Sequence, residues 1–105
     1  MSADPGNRKI VVRLDRDLED IIPQYLENRR KDIQEILSAL ERSDYGTIRT
    51  LGHSMKGSGG TYGFDAITLI GSSIERSAGD GIEESVRKSA GELAEFLDRL
   101  QVEYD

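Results

Sequence analysis

The sequence predicts an all-α protein, an antiparallel up-down four-helix bundle with a short N-terminal helix. From Leu18 onward, apolar residues recur at spacings of three and four, which is the period of an amphipathic helix. Alternating runs of β-branched residues are scarce, and only Ile10, Val11 and Val12 resemble a strand. The segments between the helical patterns are short, and short connections make sequential helices antiparallel neighbours.

Capping and breaking residues divide the first half of the pattern. Asp15 or Asp17 can cap a short first helix, which Pro23 interrupts because proline has no N–H to donate. Proline suits the first turn of the long helix that follows. That helix ends at Ser43-Asp44, where Asp44 can cap the next one. Its apolar stripe is Leu26, Ile33, Ile36, Leu37 and Leu40.

Glycine-containing turns separate the remaining three helices. The first of them stops among Gly59, Gly60 and Gly63, and Asp65 can cap the next; Gly79-Asp80-Gly81 then turns the chain again. The inward residues predicted for the three helices are, in order, Ile48, Leu51, Met55, Ser58 and Tyr62; Ala66, Ile67, Ile70, Ile74 and Ser77; and Ile82, Val86, Ala90, Leu93, Phe96, Leu97 and Leu100.

Length and composition limit the function classes. With 105 residues the chain forms one domain, which we place at residues 10–105 after a flexible tail at residues 1–9. Twenty acidic against fourteen basic side chains give a net charge of −6, which disfavours nucleic acid and anionic membranes as partners. The absence of cysteine excludes disulfides and thiolate chemistry and suits the cytoplasm. No stretch approaches the roughly 18 apolar residues that a membrane span requires, so we expect a cytoplasmic protein. We also expect a monomer.

His53, the only histidine, lies on the polar face of its helix. The apolar residues of that helix cluster within about 40° of the opposite direction. Within about 60° of His53 around the axis lie two cations and three glycines: Arg49, Lys56, Gly46, Gly57 and Gly60. A glycine inside a helix costs about 0.5–1 kcal/mol relative to alanine, and the missing side chains let another backbone approach. A single exposed histidine is ordinarily a surface residue and Gly60 can be a C-cap, but no cap requires Gly57.

Phosphoryl transfer is a chemistry that this face can support. A neutral imidazole is a nucleophile that attacks phosphorus without a separate base. The ammonium of Lys56, one turn away, can offset the charge of a phosphoryl group by roughly 1 kcal/mol in water and by about 4 at an effective dielectric of 20. If the chain reverses near Phe64, Glu75 lies level with His53 and could accept its Nδ1 proton, leaving Nε2 to attack. A solvated acid is an equally good interpretation of Glu75.

Other site signatures fail on inspection. The segment from Gly52 to Ser58 has a P-loop glycine spacing without its lysine, and no strand precedes it. Tyr62 occupies the position of the last glycine in a dinucleotide-binding pattern. A single histidine cannot form a di-iron bundle site.

The segment from His53 to Ser58, followed by Gly63, Leu69 and Glu75, resembles the histidine phosphotransfer (HPt) domain with its His-x-x-Lys-Gly signature. The resemblance extends from about Leu18 to Leu100 and implies that residues 10–105 form an HPt domain. It implies a phosphorelay intermediate in two-component signalling, which takes a phosphoryl group from a receiver-domain aspartate and passes it reversibly to another receiver. Such a domain is a phosphoryl carrier rather than a self-sufficient kinase.

The resemblance also assigns roles and partners. His53 is the implied phosphoacceptor and Lys56 its charge partner, while Gly57, Gly60 and Arg49 leave clearance for the docking receiver. Glu75 has the spacing of the histidine-orienting glutamate in the related domain of chemotaxis kinases. The implied partners are response-regulator receiver domains, including those of hybrid histidine kinases. Mg²⁺ is expected on the receiver, and no cofactor on this chain.

Two function classes stay open at this point. One is the phosphorelay intermediate, and the other is a helical module that binds a receiver or kinase without carrying phosphate. The intact His53, Lys56 and Gly57 favour the first, because a pure binder has no need of the histidine. We expect a freestanding domain.

Overall fold

Four α-helices form most of residues 8–105, the part of the chain that the computed structural model describes. They are α1, Ile22–Glu41; α2, Tyr45–Gly59; α3, Asp65–Gly79; and α4, Glu83–Arg99. The prediction of a mostly helical chain with four long helices is confirmed. The tail predicted at residues 1–9 lies mostly outside the described residues, so its flexibility stays a prediction.

The short N-terminal helix that the sequence predicts is not confirmed as an α-helix. Strand β1, Ile10–Leu14, precedes the predicted position of that helix and pairs in parallel with β2, Leu100–Tyr104. Only a single 3₁₀ turn, Arg16–Leu18, follows β1, and the carboxylate of Asp15 caps it by accepting from Asp17 N–H at 2.8 Å. Because α4 ends at Arg99, Leu100 belongs to β2 and not to the last helix.

The two strands form because both have one apolar side. Ile10, Val12 and Leu14 alternate with the exposed Val11 and Arg13, a period of two that sits poorly in a helix. Their partners in β2 pack on the same core. The pairing joins residues about ninety positions apart, so local periodicity cannot reveal it.

The core fills the space between the helices and under the strands. Its largest fully buried side chains are Phe64, Ile22, Ile36, Ile48, Met55, Ile67, Ile74, Leu93 and Val86. The most extensive contact between helices is that of α2 with α3, while α4 packs on α1 and α3. None of the helices described here is long and apolar enough to cross a membrane.

Two of the predicted helix starts agree with the structure and one does not. Asp44 caps α2 by accepting from Thr47 N–H at 3.2 Å, and Pro23 lies in the first turn of α1. The N-cap of α3 is Phe64, so Asp65 is the first helical residue and not the cap. Gly63, before it, has a left-handed φ of 90°, and a Cβ there would lie 2.5 Å from Leu14 of β1. The left-handed turn therefore requires glycine at this position, and a side chain there would also displace the end of the Leu14 side chain.

A polar cluster joins α2 to α1 near the end of α2. The hydroxyls of Tyr25 and Ser58 are 2.8 Å apart, and the Arg29 guanidinium lies 4.5 Å from the centre of the Tyr25 ring. Arg29 also donates from Nε to Asp32 at 2.8 Å. Every side-chain polar atom buried in the described chain has a hydrogen-bond partner, so this cluster carries no unsatisfied group.

Candidate functional site

His53 projects from the middle of α2 into solvent. Its side chain is 71% exposed, whereas Ile48 and Met55 on the other side of the helix are fully buried. The structure thus places the imidazole on the face that the sequence predicts. An exposed ring of this kind is open to a macromolecular partner.

A seam of glycines brings α3 against α2 directly beside His53. A Cβ on Gly52 would lie 2.6 Å from the backbone nitrogen of Glu75 and 2.9 Å from the carbonyl oxygen of Gly71. A Cβ on Gly71 would lie 2.6 Å from the backbone nitrogen of Lys56. Neither distance allows a side chain, so the two backbones approach this closely only because both residues are glycine. Sequence reasoning missed this seam, although glycines inside two neighbouring predicted helices were its visible signal.

The seam places the carboxylate of Glu75 between the imidazole and the ammonium. Nδ1 of His53 lies 2.9 Å from Oε2 of Glu75, and Nζ of Lys56 donates to Oε1 at 3.4 Å. An ionised carboxylate can only accept hydrogen bonds, so Nδ1 carries the proton in this contact. In the neutral ring, Nε2 then holds the free lone pair and points away from Glu75.

The charge state of Glu75 agrees with this arrangement. The hydrogen bond from His53 is the largest influence and lowers the pKa of Glu75 below its usual value. Desolvation acts in the opposite direction, and the hydrogen bond and positive charge of Lys56 lower the pKa further. Glu75 is therefore an anionic acceptor at neutral pH.

The face of α2 around His53 carries exposed glycines. A Cβ on Gly57 would meet nothing within 4 Å, and the nearest atoms to a Cβ on Gly46 or Gly60 are 3.7 and 3.6 Å away. Arg49 is exposed and lines a groove of about 490 Å³ with His53 and Glu75. Packing within the described chain therefore does not require glycine at position 57.

Thr68 is a second residue that sequence reasoning missed. Its hydroxyl accepts from Gly60 N–H at 2.7 Å and donates to the carbonyl oxygen of Lys56 at 3.0 Å. A Cβ on Gly59 would lie 2.5 Å from Thr68 N, so glycine at that position lets the threonine reach the last turn of α2. Thr68 therefore ties α3 to the turn that carries Lys56.

No group of three or more histidine, cysteine, aspartate or glutamate side chains in the described range could hold a metal ion. The chemistry available at this site is that of one imidazole, one carboxylate and nearby cations.

The spacing of His53, Lys56 and Gly57 on one exposed helix face, with Glu75 level on the next helix, can be compared with known families. The Hpt domain model matches residues 20–103 of the chain. The protein belongs to the Hpt domain family. No curated protein and no solved structure matched the chain. Hpt domains function in phosphotransfer in two-component signalling and interact with response-regulator receivers, and this is the function class of the chain.

Proposed function

We propose that the protein is a phosphorelay intermediate in which His53 accepts a phosphoryl group from a receiver-domain aspartate and passes it reversibly to another receiver. The observation that carries the proposal is the 2.9 Å contact between His53 Nδ1 and Glu75. It fixes the ring and directs the free Nε2 lone pair to solvent, where a receiver can reach it.

The forward step forms one bond and breaks another. Nε2 of His53 attacks the phosphorus of the receiver's aspartyl phosphate, the N–P bond forms, and the P–O bond to the aspartate breaks to release its carboxylate. The imidazole retains its Nδ1 proton and becomes positively charged, which Glu75 stabilises from 2.9 Å. In the reverse step an aspartate of another receiver attacks the phosphorus and restores the neutral ring.

Lys56 and Gly57 serve this exchange from the same helix. In the free protein Lys56 Nζ lies 3.4 Å from Glu75, and a short rotation of its flexible side chain brings it to a phosphoryl group on His53. Gly57 leaves room for the receiver loop, with Gly60 and Arg49 at the edge of the same opening. The protein supplies positioning and charge, while the Mg²⁺ and the catalytic aspartate belong to the partner.

The finer architecture belongs to the same proposal. The contacts of α2 with α3 run in opposite order along the chain, since Gly52 meets Glu75 and Gly59 meets Thr68. This supports an up-down arrangement of the four helices as a single phosphotransfer domain at residues 10–105. We retain the expectations of a cytoplasmic monomer and of partners that include receivers of hybrid kinases.

Transfer from phosphorylated receivers tests this function. A panel of receiver domains, each phosphorylated on its aspartate, is mixed with the wild-type protein and with His53→Gln. We expect acid-labile, base-stable label on the wild type and none on the variant, with equal helical circular dichroism. Binding of a receiver without any label on His53 would instead identify a helical binding module that carries no phosphate.

A further inference from the structure

Three cations gather on one flank of the site in a chain whose net charge is −6. Arg49 and Lys56 from α2 and Arg76 from α3 line a groove of about 350 Å³, together with Ser72, Glu75, Gly79 and Asp80. Lys56 is paired with Glu75, but Arg49 and Arg76 form no ion pair with any residue of the range 8–105. The guanidinium groups of Arg49 and Arg76, in a groove that also contains the His53 partner Glu75, are therefore available to an anionic partner.

An exposed leucine extends this flank along α3. Leu69 is 69% exposed, more than any other large hydrophobic residue that the structure describes. It precedes Arg76 by seven residues, two helical turns, so the two side chains leave α3 in the same direction. Ser72 lies between them and reaches the groove beside Lys56. We define the α3 flank as Leu69, Ser72 and Arg76. Through Ser72 and Lys56 it adjoins the exposed face of α2 that carries His53 and Gly57.

The face of α2 around His53 offers a folded partner few side chains to contact. A stable interface buries about 800 Å² on each partner, and His53 is surrounded by glycines that offer little surface. A receiver centred on His53 must therefore also contact a neighbouring element. The α3 flank combines an apolar side chain with unpaired arginine, the residue types that contribute strongly to interfaces.

We propose that the α3 flank is part of the docking surface for the receiver, with Arg76 and Arg49 contacting its anionic rim and Leu69 anchoring it. The inference rests on the proposed phosphotransfer function and extends the predicted contacts from α2 to α3. A phosphorylated receiver presents an aspartyl phosphate and the carboxylates that hold its Mg²⁺. The net charge of the Hpt domain repels such a surface, and this groove is the place where attraction replaces repulsion.

Rates of transfer from the receiver that labels His53 fastest in the panel test the charged part of this surface. We expect Arg76→Gln to lower kcat/KM about three- to fivefold, the scale of one exposed charge pair, mainly through KM. Lys88→Gln removes the same charge from an exposed position on α4 and should leave the rate unchanged. The double variant Arg49→Gln/Arg76→Gln should also change the dependence of kcat/KM on salt concentration, because it removes the attraction that salt weakens and leaves the general repulsion.

The apolar part of the surface is tested by Leu69→Ala. We expect this variant to lower kcat/KM about five- to tenfold, because it removes apolar area that the docked receiver would bury. Val11→Ala, a truncation of an exposed residue on β1, is the matched control. Labelling by phosphoramidate, a small donor with no surface to dock, should be the same for wild type, Leu69→Ala and Val11→Ala. Equal circular dichroism verifies that the folds are intact.

The outcomes separate the two proposals. Labelling of His53 at wild-type rates in all of the α3 variants overturns the docking surface while the phosphotransfer function stands. A change in self-association with no change in transfer assigns the flank to a second copy and also overturns the proposal. Absence of label from every receiver overturns the function and the docking surface together.

Discussion

The Glu75 carboxylate contacts both His53 and Lys56 in the free protein. The positive charge of Lys56 is therefore close enough to interact with a phosphoryl group on His53. Its ammonium lies 3.4 Å from the carboxylate in the free protein and is half-exposed. A phosphoryl group on Nε2 offers Lys56 a more highly charged acceptor nearby. The energy of that contact is about 1–4 kcal/mol for plausible dielectrics at a separation of about 4 Å.

We therefore expect Lys56→Ala to slow phosphotransfer without abolishing it, because the lysine offsets charge and breaks no bond. Single-turnover rates with a phosphorylated receiver measure the effect, and Lys88→Ala on α4 is the control. Transfer by Lys56→Ala at the wild-type rate would remove this lysine from the site.

The ionisation of Glu75 provides a second test at this scale. Since the hydrogen bond from His53 is the main cause of its lowered pKa, His53→Ala should raise the pKa of Glu75 toward the ordinary glutamate value. Because folding lowers the pKa of Glu75, the stabilisation from its contact with His53 is fully present above the ordinary glutamate pKa. It is lost as the pH falls through the lowered pKa of the folded protein. Carboxyl ¹³C NMR titration of both proteins measures the shift. An unchanged titration in His53→Ala would show that the contact does not form in solution.

The position of Glu75 opposite His53 was predictable from the sequence by treating the two helices as a hairpin. Placing the reversal near Phe64 put residue 75 opposite His53, and the structure shows that contact. The Lys56 contact and the bridge made by Thr68 were not predictable, because both depend on how closely the two helix backbones approach. The roles of these residues in transfer stay predictions.

Among the elements, α2 carries two kinds of glycine. Gly52 faces α3, and a Cβ there would lie 2.6 Å from Glu75 N, whereas a Cβ on Gly57 would meet nothing within 4 Å. The first glycine is required by packing between helices. The second has no packing requirement and lies one turn from His53.

The two glycines should therefore respond to substitution in opposite ways. Gly52→Ala should lower the free energy of unfolding by about 1–3 kcal/mol, the usual cost of overpacking. Gly57→Leu should hold or raise the melting temperature, since replacing an exposed helical glycine stabilises by up to about 1 kcal/mol. The same variant should sharply slow transfer from a receiver, because a 1 Å displacement can cost about a hundredfold in rate.

Thermal denaturation and transfer assays on the two variants check this pair. Labelling of Gly57→Leu by phosphoramidate should change far less than its labelling by a receiver. A Gly57→Leu protein that is less stable than wild type and transfers normally would show that the glycine serves packing and not docking.

The four helices were predictable from the sequence, whereas only the strand-like character of Ile10 to Val12 was visible and the pairing of β1 with β2 was not. A helix depends on contacts three and four residues apart, so the apolar stripes of α1 to α4 are visible locally. The partner of β1 is the C-terminal segment, and each strand alone is only five residues long. Leu100 illustrates the limit, because it continues the period of the α4 stripe and yet begins β2.

At the scale of the whole molecule, the net charge of −6 and the basic groove have different effects. The overall charge disfavours anionic partners at a distance, while Arg49, Lys56 and Arg76 attract them at the site. Salt should therefore weaken the attraction at the groove and the general repulsion together. The difference in salt dependence between wild type and the double arginine variant isolates the contribution of the groove.

The position of the phosphoryl group on the ring tests the central claim most directly. The protein, labelled with ¹⁵N-histidine, is phosphorylated by a receiver, and ³¹P and ¹⁵N NMR then identify the nitrogen bonded to phosphorus. Because Glu75 holds Nδ1, we predict a phosphorus–nitrogen bond at Nε2 of His53 and no such signal in His53→Gln. Phosphorus bonded to Nδ1, or a phosphohistidine-type signal that survives in His53→Gln, would contradict the account.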